Sequence, residues 1–194
     1  SQPSDAVKRY RAGYELLKAR NFRNADIELD QAVTIDSTYG AAHFLLGQAN
    51  EYLKDYRKAI RAFEAAGRFG IPRERLDKRM SRLQYRFALQ NFQQRKYAEA
   101  VNAFEEVLAR EPQNAEAHYN LGVTFQGLGQ LEASVESYVA ALDIKSDFAE
   151  AFNNLGVVLR ELGQLETAVK SYEKVLTIQP DFAEAVSYTH LTLP

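Results

Sequence analysis

The chain has no cysteine, no tryptophan and a single methionine, and only three of its 194 residues are histidine. Without cysteine there is no disulfide framework, no thiolate zinc site and no cysteine nucleophile. A cysteine-free chain suits cytosol and periplasm alike. No stretch approaches eighteen consecutive apolar residues, so no membrane span is expected. The first twenty residues, SQPSDAVKRYRAGYELLKAR, are charged throughout and lack the apolar segment of a signal peptide. A soluble, cytoplasmic location is therefore favoured over a periplasmic one. The chain opens on Ser1 rather than Met and reads as a fragment or a processed form.

Chemistry-bearing motifs are missing as well. There is no phosphate-binding P-loop, no G-x-G-x-x-G, no G-x-S-x-G and no H-E-x-x-H. No set of His, Asp and Glu is spaced to converge on a metal, and the carboxylates are distributed as solvated helix faces would carry them. We expect neither catalysis nor a cofactor. The net charge of −2 argues against a dedicated nucleic-acid binder, yet the charge is uneven. Residues 1–80 carry 15 Lys/Arg against 11 Asp/Glu and residues 81–194 carry 9 against 15, so an acidic partner would meet the first half more favourably.

What is present is repetition. NLGVTFQGLGQLEAS at 120–134 returns as NLGVVLRELGQLETA at 154–168, thirty-four residues later. The same spacing runs back through the chain in weaker form. Units fall at 6–39, 40–73, 81–114, 115–148 and 149–182, with Gly13, Gly47, Ala88, Gly122 and Gly156 at the eighth place. Twelve residues on stand Ala25, Ala59, Ala100, Ser134 and Ala168, then Leu29, Phe63, Phe104, Tyr138 and Tyr172. Apolar residues recur at helical rather than strand spacing in each half-unit, giving two helices per unit. Gly129 and Gly163 stand where a left-handed residue ends the first of them. Each unit buries its apolar face only against a neighbour, which is why it must repeat.

This pattern resembles the tetratricopeptide repeat, carried in the last unit by Phe152, Leu155, Gly156, Leu159, Ala168, Tyr172, Val175 and Pro180. The last two units resemble those of O-linked N-acetylglucosamine transferases. The resemblance implies an all-α fold: an α-solenoid, a right-handed superhelix of antiparallel helix pairs, over residues 1–186. Tyr138 and Tyr172 should fill the gap toward the next unit. Residues 74–80 are an insertion extending the first helix of the third unit, with Pro72 at its first turn. DFAEAV at 181–186 starts a sixth unit, and SYTHLTLP at 187–194 abandons the pattern and reads as a non-native tail, which leaves His190 without a role. An apolar edge around Tyr172 and Leu176 would then be uncapped and open to self-association.

The family's first helices line a concave groove with positions 2, 5, 6, 9, 12 and 13 of each unit. Carried over, these place Tyr10, Arg11, Tyr14, Phe44, Tyr52, Arg82, Tyr85, Arg86 and Phe92 in the groove of the first three units. Tyr119, Asn120, Asn153 and Asn154 follow in the last two. Tyr and Phe interleaved with Arg suit a peptide-binding groove, because rings bury area at small entropic cost and Arg grips carboxylates bidentately. Asn120 and Asn154 form two rungs of an amide ladder that could hold a peptide backbone. The expectation is a non-catalytic scaffold for a protein or peptide partner, an acidic one at Arg82 and Arg86. A substrate-recruiting arm of a larger enzyme and a self-assembling module are the alternatives. His43 and His118, at the fourth position, are expected to be half-buried packing residues.

Overall fold

A computed structural model describes residues 4–182. Among them are ten α-helices and no strand: α1 (Asp5–Lys18), α2 (Phe22–Ile35), α3 (Gly40–Tyr52), α4 (Tyr56–Arg68), α5 (Arg73–Gln93), α6 (Tyr97–Arg110), α7 (Ala115–Gly127), α8 (Leu131–Ile144), α9 (Ala149–Glu161) and α10 (Leu165–Ile178). Consecutive helices pair, α1 with α2, α3 with α4, α7 with α8 and α9 with α10, in the manner of an all-α solenoid. The chain divides into two compact units, residues 1–87 and 88–194, with the boundary inside α5. The expected sixth unit at 183–186 and the tail at 187–194, including His190, lie outside the described residues.

Side-chain caps start four of the helices. Ser4, Asn21, Asp55 and Asn114 accept from the backbone N–H three residues on, satisfying a donor that the helix itself leaves orphaned. The first helix of every repeat ends alike. Arg20, Lys54, Arg95, Gly129 and Gly163 all sit in the left-handed region, with φ of 58°, 61°, 58°, 72° and 77°. They stand 34 residues apart except from Lys54 to Arg95, where α5 supplies the additional turns: it has 21 residues against 13 or 14 in every other helix. Three of the five turns therefore carry strain that glycine relieves in the other two.

The core of four of the helix pairs is a second-helix side chain pressed onto first-helix backbone, Leu29 against Gly13 in the first of them. The Phe63 ring lies against Gly47, Tyr138 against Gly122 and Tyr172 against Gly156, each ring fully buried. A Cβ built on Gly122 would meet the Tyr138 ring at 2.7 Å, and one on Gly156 would meet Tyr172 at 2.5 Å. Ser134 closes the same contact by donating its hydroxyl to the Gly122 carbonyl at 2.8 Å. Tyr138 also joins Leu155 and Val158 of the next pair in one buried cluster, so a single ring packs within its repeat and toward the next. Tyr172, expected at an exposed edge, is instead wholly buried; Leu176 beside it is half-buried.

A buried polar junction ties α2, α3 and α4 in the first unit. Asn50, 2% exposed, donates from Nδ2 to Asp26 Oδ1 at 2.7 Å and to the Leu46 carbonyl at 2.9 Å. Lys58 Nζ reaches the same Asp26 oxygen at 2.7 Å and Asp30 at 3.4 Å. Burial pushes the Lys58 ammonium down, but the two carboxylates outweigh it and hold its pKa above the ordinary lysine value.

Four substitutions test these contacts in urea denaturation. Gly122→Val should lose about 3 kcal/mol, because overpacking against Tyr138 outweighs any helix propensity gained. At the turns the signs oppose: Gly129→Ala should cost about 1 kcal/mol, whereas Arg95→Gly should gain about 0.5 kcal/mol, strain relief exceeding the entropy of a more flexible unfolded chain. Asp26→Ala should cost about 2 kcal/mol by leaving one of the two buried Asn50 N–H groups without its acceptor.

Candidate peptide-binding surfaces

In the first unit, the candidate surface is built on the first helices of three repeats. Tyr14 and Tyr52 are the exposed aromatics, 45% and 58% accessible. Lys18 lies over the Tyr14 ring at 4.8 Å, and Tyr52 stacks face to face on Phe22, centroids 4.2 Å apart and planes 5° from parallel. Tyr10 is half-buried, its ring 4.9 Å from Tyr39, with Arg11 exposed beside it in sequence. Phe44 is not on the surface. It is 5% exposed, packs edge-on against Phe63 at 5.5 Å and belongs to the core with Leu76, Met80 and Leu83.

The cause of that displacement is the long α5. Its additional turns carry Leu76 and Met80 onto Phe44, and bring the guanidiniums of Arg75 and Arg79 over the Phe44 ring at 4.6 and 5.6 Å. Arg79 then pairs with Glu51 of α3 at 3.0 Å, and Arg86 approaches the other oxygen of the same carboxylate at 3.8 Å. Arg82 and Arg86 are exposed and Tyr85 between them is half-buried. Glu51 was not among the sequence candidates, although it occupies the twelfth position of its unit, which the groove pattern includes.

In the second unit, the corresponding surface is less charged and more amide-rich. Phe92 is half-buried, 5.4 Å from Tyr97. Tyr119 is also half-buried, its ring 4.8 Å from Phe148 and 5.9 Å from Tyr138, and its hydroxyl accepts from Asn154 Nδ2 at 3.1 Å. Asn120 and Asn154 are half-buried at the sixth position of successive repeats. Asn153, at the fifth position like Phe44, is only 6% exposed and faces the interior, where its Oδ1 has no hydrogen-bond partner. The fifth position is thus a packing position: Tyr10, Tyr85 and Tyr119 are half-buried there, and Phe44 and Asn153 buried.

His43 and His118 have equivalent structural roles, each half-buried and each directing Nε2 at a carbonyl six residues earlier, Ser37 at 2.9 Å and Pro112 at 3.0 Å. A carbonyl only accepts, so Nε2 carries the proton in both. Among the described residues no three or more His, Asp or Glu cluster as metal ligands would, and no helix is long and apolar enough to cross a membrane.

Burial drives the Tyr138 hydroxyl well above the ordinary tyrosine range, with hydrogen bonding from Ser134 and Asn154 offsetting only part of it. Burial raises Tyr119 too, and the Asn154 amide again opposes. A phenol whose folded pKa is raised contributes stability that is complete below the unfolded value of about 10 and is lost as pH rises past it. Tyr138→Phe should therefore show a shallower decline in stability as pH rises above about 10 than the parent, read by circular dichroism in urea.

Models of the tetratricopeptide repeat match residues 40–66, 85–146 and 149–182. Comparison with curated proteins finds no match. Among solved structures, YrrB, described as a TPR protein with an unusual peptide-binding site, is 22% identical with a TM-score of 0.62, covering 96% of this chain and 92% of its own. A MamA structure is 20% identical with a TM-score of 0.57, over 89% of this chain and 96% of its own. The first TPR of Spaghetti (RPAP3), bound to the HSP90 peptide SRMEEVD, is 22% identical with a TM-score of 0.56, over 58% of this chain and 89% of its own. At these identities the likeness is one of fold.

Proposed function

The chain is a tetratricopeptide repeat protein, and we propose on that premise that it is a non-catalytic interaction scaffold whose first-helix faces bind a peptide segment of a partner protein. The observation that carries this is the row of accessible aromatic and guanidinium groups in the first unit: Tyr14, Tyr52, Arg82 and Arg86 remain open although the repeat core needs none of them. A large ring left in water forgoes the favourable free energy of burial, which a covering partner would supply, and arginine favours carboxylate. The partner segment there is acidic.

In the second unit the amides dominate. Tyr119 takes the Asn154 N–H, which fixes the side chain and leaves Oδ1 to accept a peptide N–H. Such contacts hold backbone and do not read sequence. Two of the similar structures are described with a peptide-binding site or a bound peptide, which supports a peptide as ligand without supplying its sequence.

Arg82→Glu combined with Arg86→Glu should weaken an acidic peptide by at least about tenfold at low salt and flatten the dependence of affinity on ionic strength, measured by fluorescence anisotropy. Unchanged affinity at low salt would contradict the electrostatic assignment. Asn154→Ala should weaken acidic and neutral peptides by a similar factor; a loss confined to one sequence would contradict the backbone role.

A further inference from the structure

Four arginines of α5 lie on one stripe. At 100° per residue, Arg75, Arg79, Arg82 and Arg86 fall within about 60° of arc, while Glu74 and Asp77 project more than about 100° from its centre. The acids of α5 therefore do not neutralise its own stripe; Asp77 pairs with Arg73 on the other side at 4.0 Å. Among the described residues, the carboxylate that pairs with the stripe comes from another helix. Glu51 of α3 accepts from Arg79 at 3.0 Å with one oxygen and faces Arg86 at 3.8 Å with the other, and its side chain is 22% exposed. The two contacts are unequal. Arg79 is 29% exposed and braced on the Phe44 and Phe63 rings, whereas Arg86 is 57% exposed and beyond hydrogen-bonding distance. Arg82, between them on the stripe, has no ion-pair partner among the described residues.

We infer that Glu51 is a built-in competitor for the acidic-ligand site: it holds Arg79 as structure and Arg86 as a surrogate ligand, which an incoming carboxylate displaces to bind Arg82 and Arg86 together. The inference rests on the proposed acidic partner and adds the residue that regulates it. One carboxylate against the four guanidiniums of the stripe leaves it positive, so a ligand is still attracted, but its grip on Arg86 is gained only by giving up the Glu51 contact and by approaching a like charge. Weakly acidic segments are thereby rejected and segments with several carboxylates accepted. That is specificity by repulsion as much as by attraction.

Anisotropy titrations of the full chain with a fluorescein-labelled hexaglutamate peptide, with hexaglutamine as the neutral control, test this. Glu51→Gln should bind hexaglutamate on the order of fivefold more tightly than the parent, the effect expected of removing one like charge beside a partly exposed ion pair. Hexaglutamine binding should not change. The gain should vanish in an Arg86→Ala background, because the competition is for that guanidinium. Circular dichroism melts of each variant establish that it is folded, and Glu51→Ala serves in place of Glu51→Gln if the latter is not. Parent binding that Glu51→Gln leaves equal or weaker overturns the competitor and leaves the acidic-partner reading standing. A gain that survives Arg86→Ala also overturns it, reducing Glu51 to a general charge. No binding of hexaglutamate by the parent or either Glu51 variant overturns the acidic partner itself.

Discussion

The architecture depends on one contact: a large side chain of the second helix seated on the bare backbone of the first. Gly47, Gly122 and Gly156 meet Phe63, Tyr138 and Tyr172 in this way, at separations that leave no room for a Cβ. A ring against backbone brings two helices closer than two side chains would allow, and burying it contributes several kcal/mol per pair. In the second unit the same ring reaches the next pair as well, since Tyr138 clusters with Leu155 and Val158. Variation around it is instructive: the third repeat has Ala88 and Phe104, both buried, at the corresponding positions, and the first opposes Gly13 with Leu29. The contact tolerates a methyl or an aliphatic side chain within a repeat but keeps one side small and the other large.

Because packing is satisfied by this pair and its apolar neighbours, the exposed side chains of the first helices can vary without disturbing the fold. The two units use that freedom differently. The first presents Tyr14 and Tyr52 with the arginine stripe of α5; the second presents Asn120 and Asn154 beside Tyr119. Charge and rings suit a ligand read by its side chains, amides a ligand held by its backbone.

Much of this was legible in the sequence because the repeat writes its packing five times. The period, the helical phase, the small residues and the left-handed turn at Gly129 and Gly163 each recur at fixed offsets, and the structure places Arg20, Lys54 and Arg95 in the same conformation without the glycine. What did not read through was local. Phe44 was assigned to the surface by its place in the repeat, but an ordinary first helix in the following repeat would lack the turns that bring Leu76, Met80 and Arg75 over it. Asn153 is a polar letter at a packing position, and polarity suggested exposure where burial holds. Glu51 escaped notice because a lone glutamate on a helix is ordinarily solvated; only the fold reveals that two arginines from another helix reach it.

On this reading a partner segment binds the first-helix faces and not the second-helix faces. Backbone amide chemical-shift mapping during titration with an acidic peptide tests it most directly. Perturbations concentrated at Tyr14, Glu51 to Tyr52 and Arg82 to Arg86, with α2 and α4 unaffected, are the predicted result. Perturbations confined to the exposed faces of α2 and α4 would contradict it.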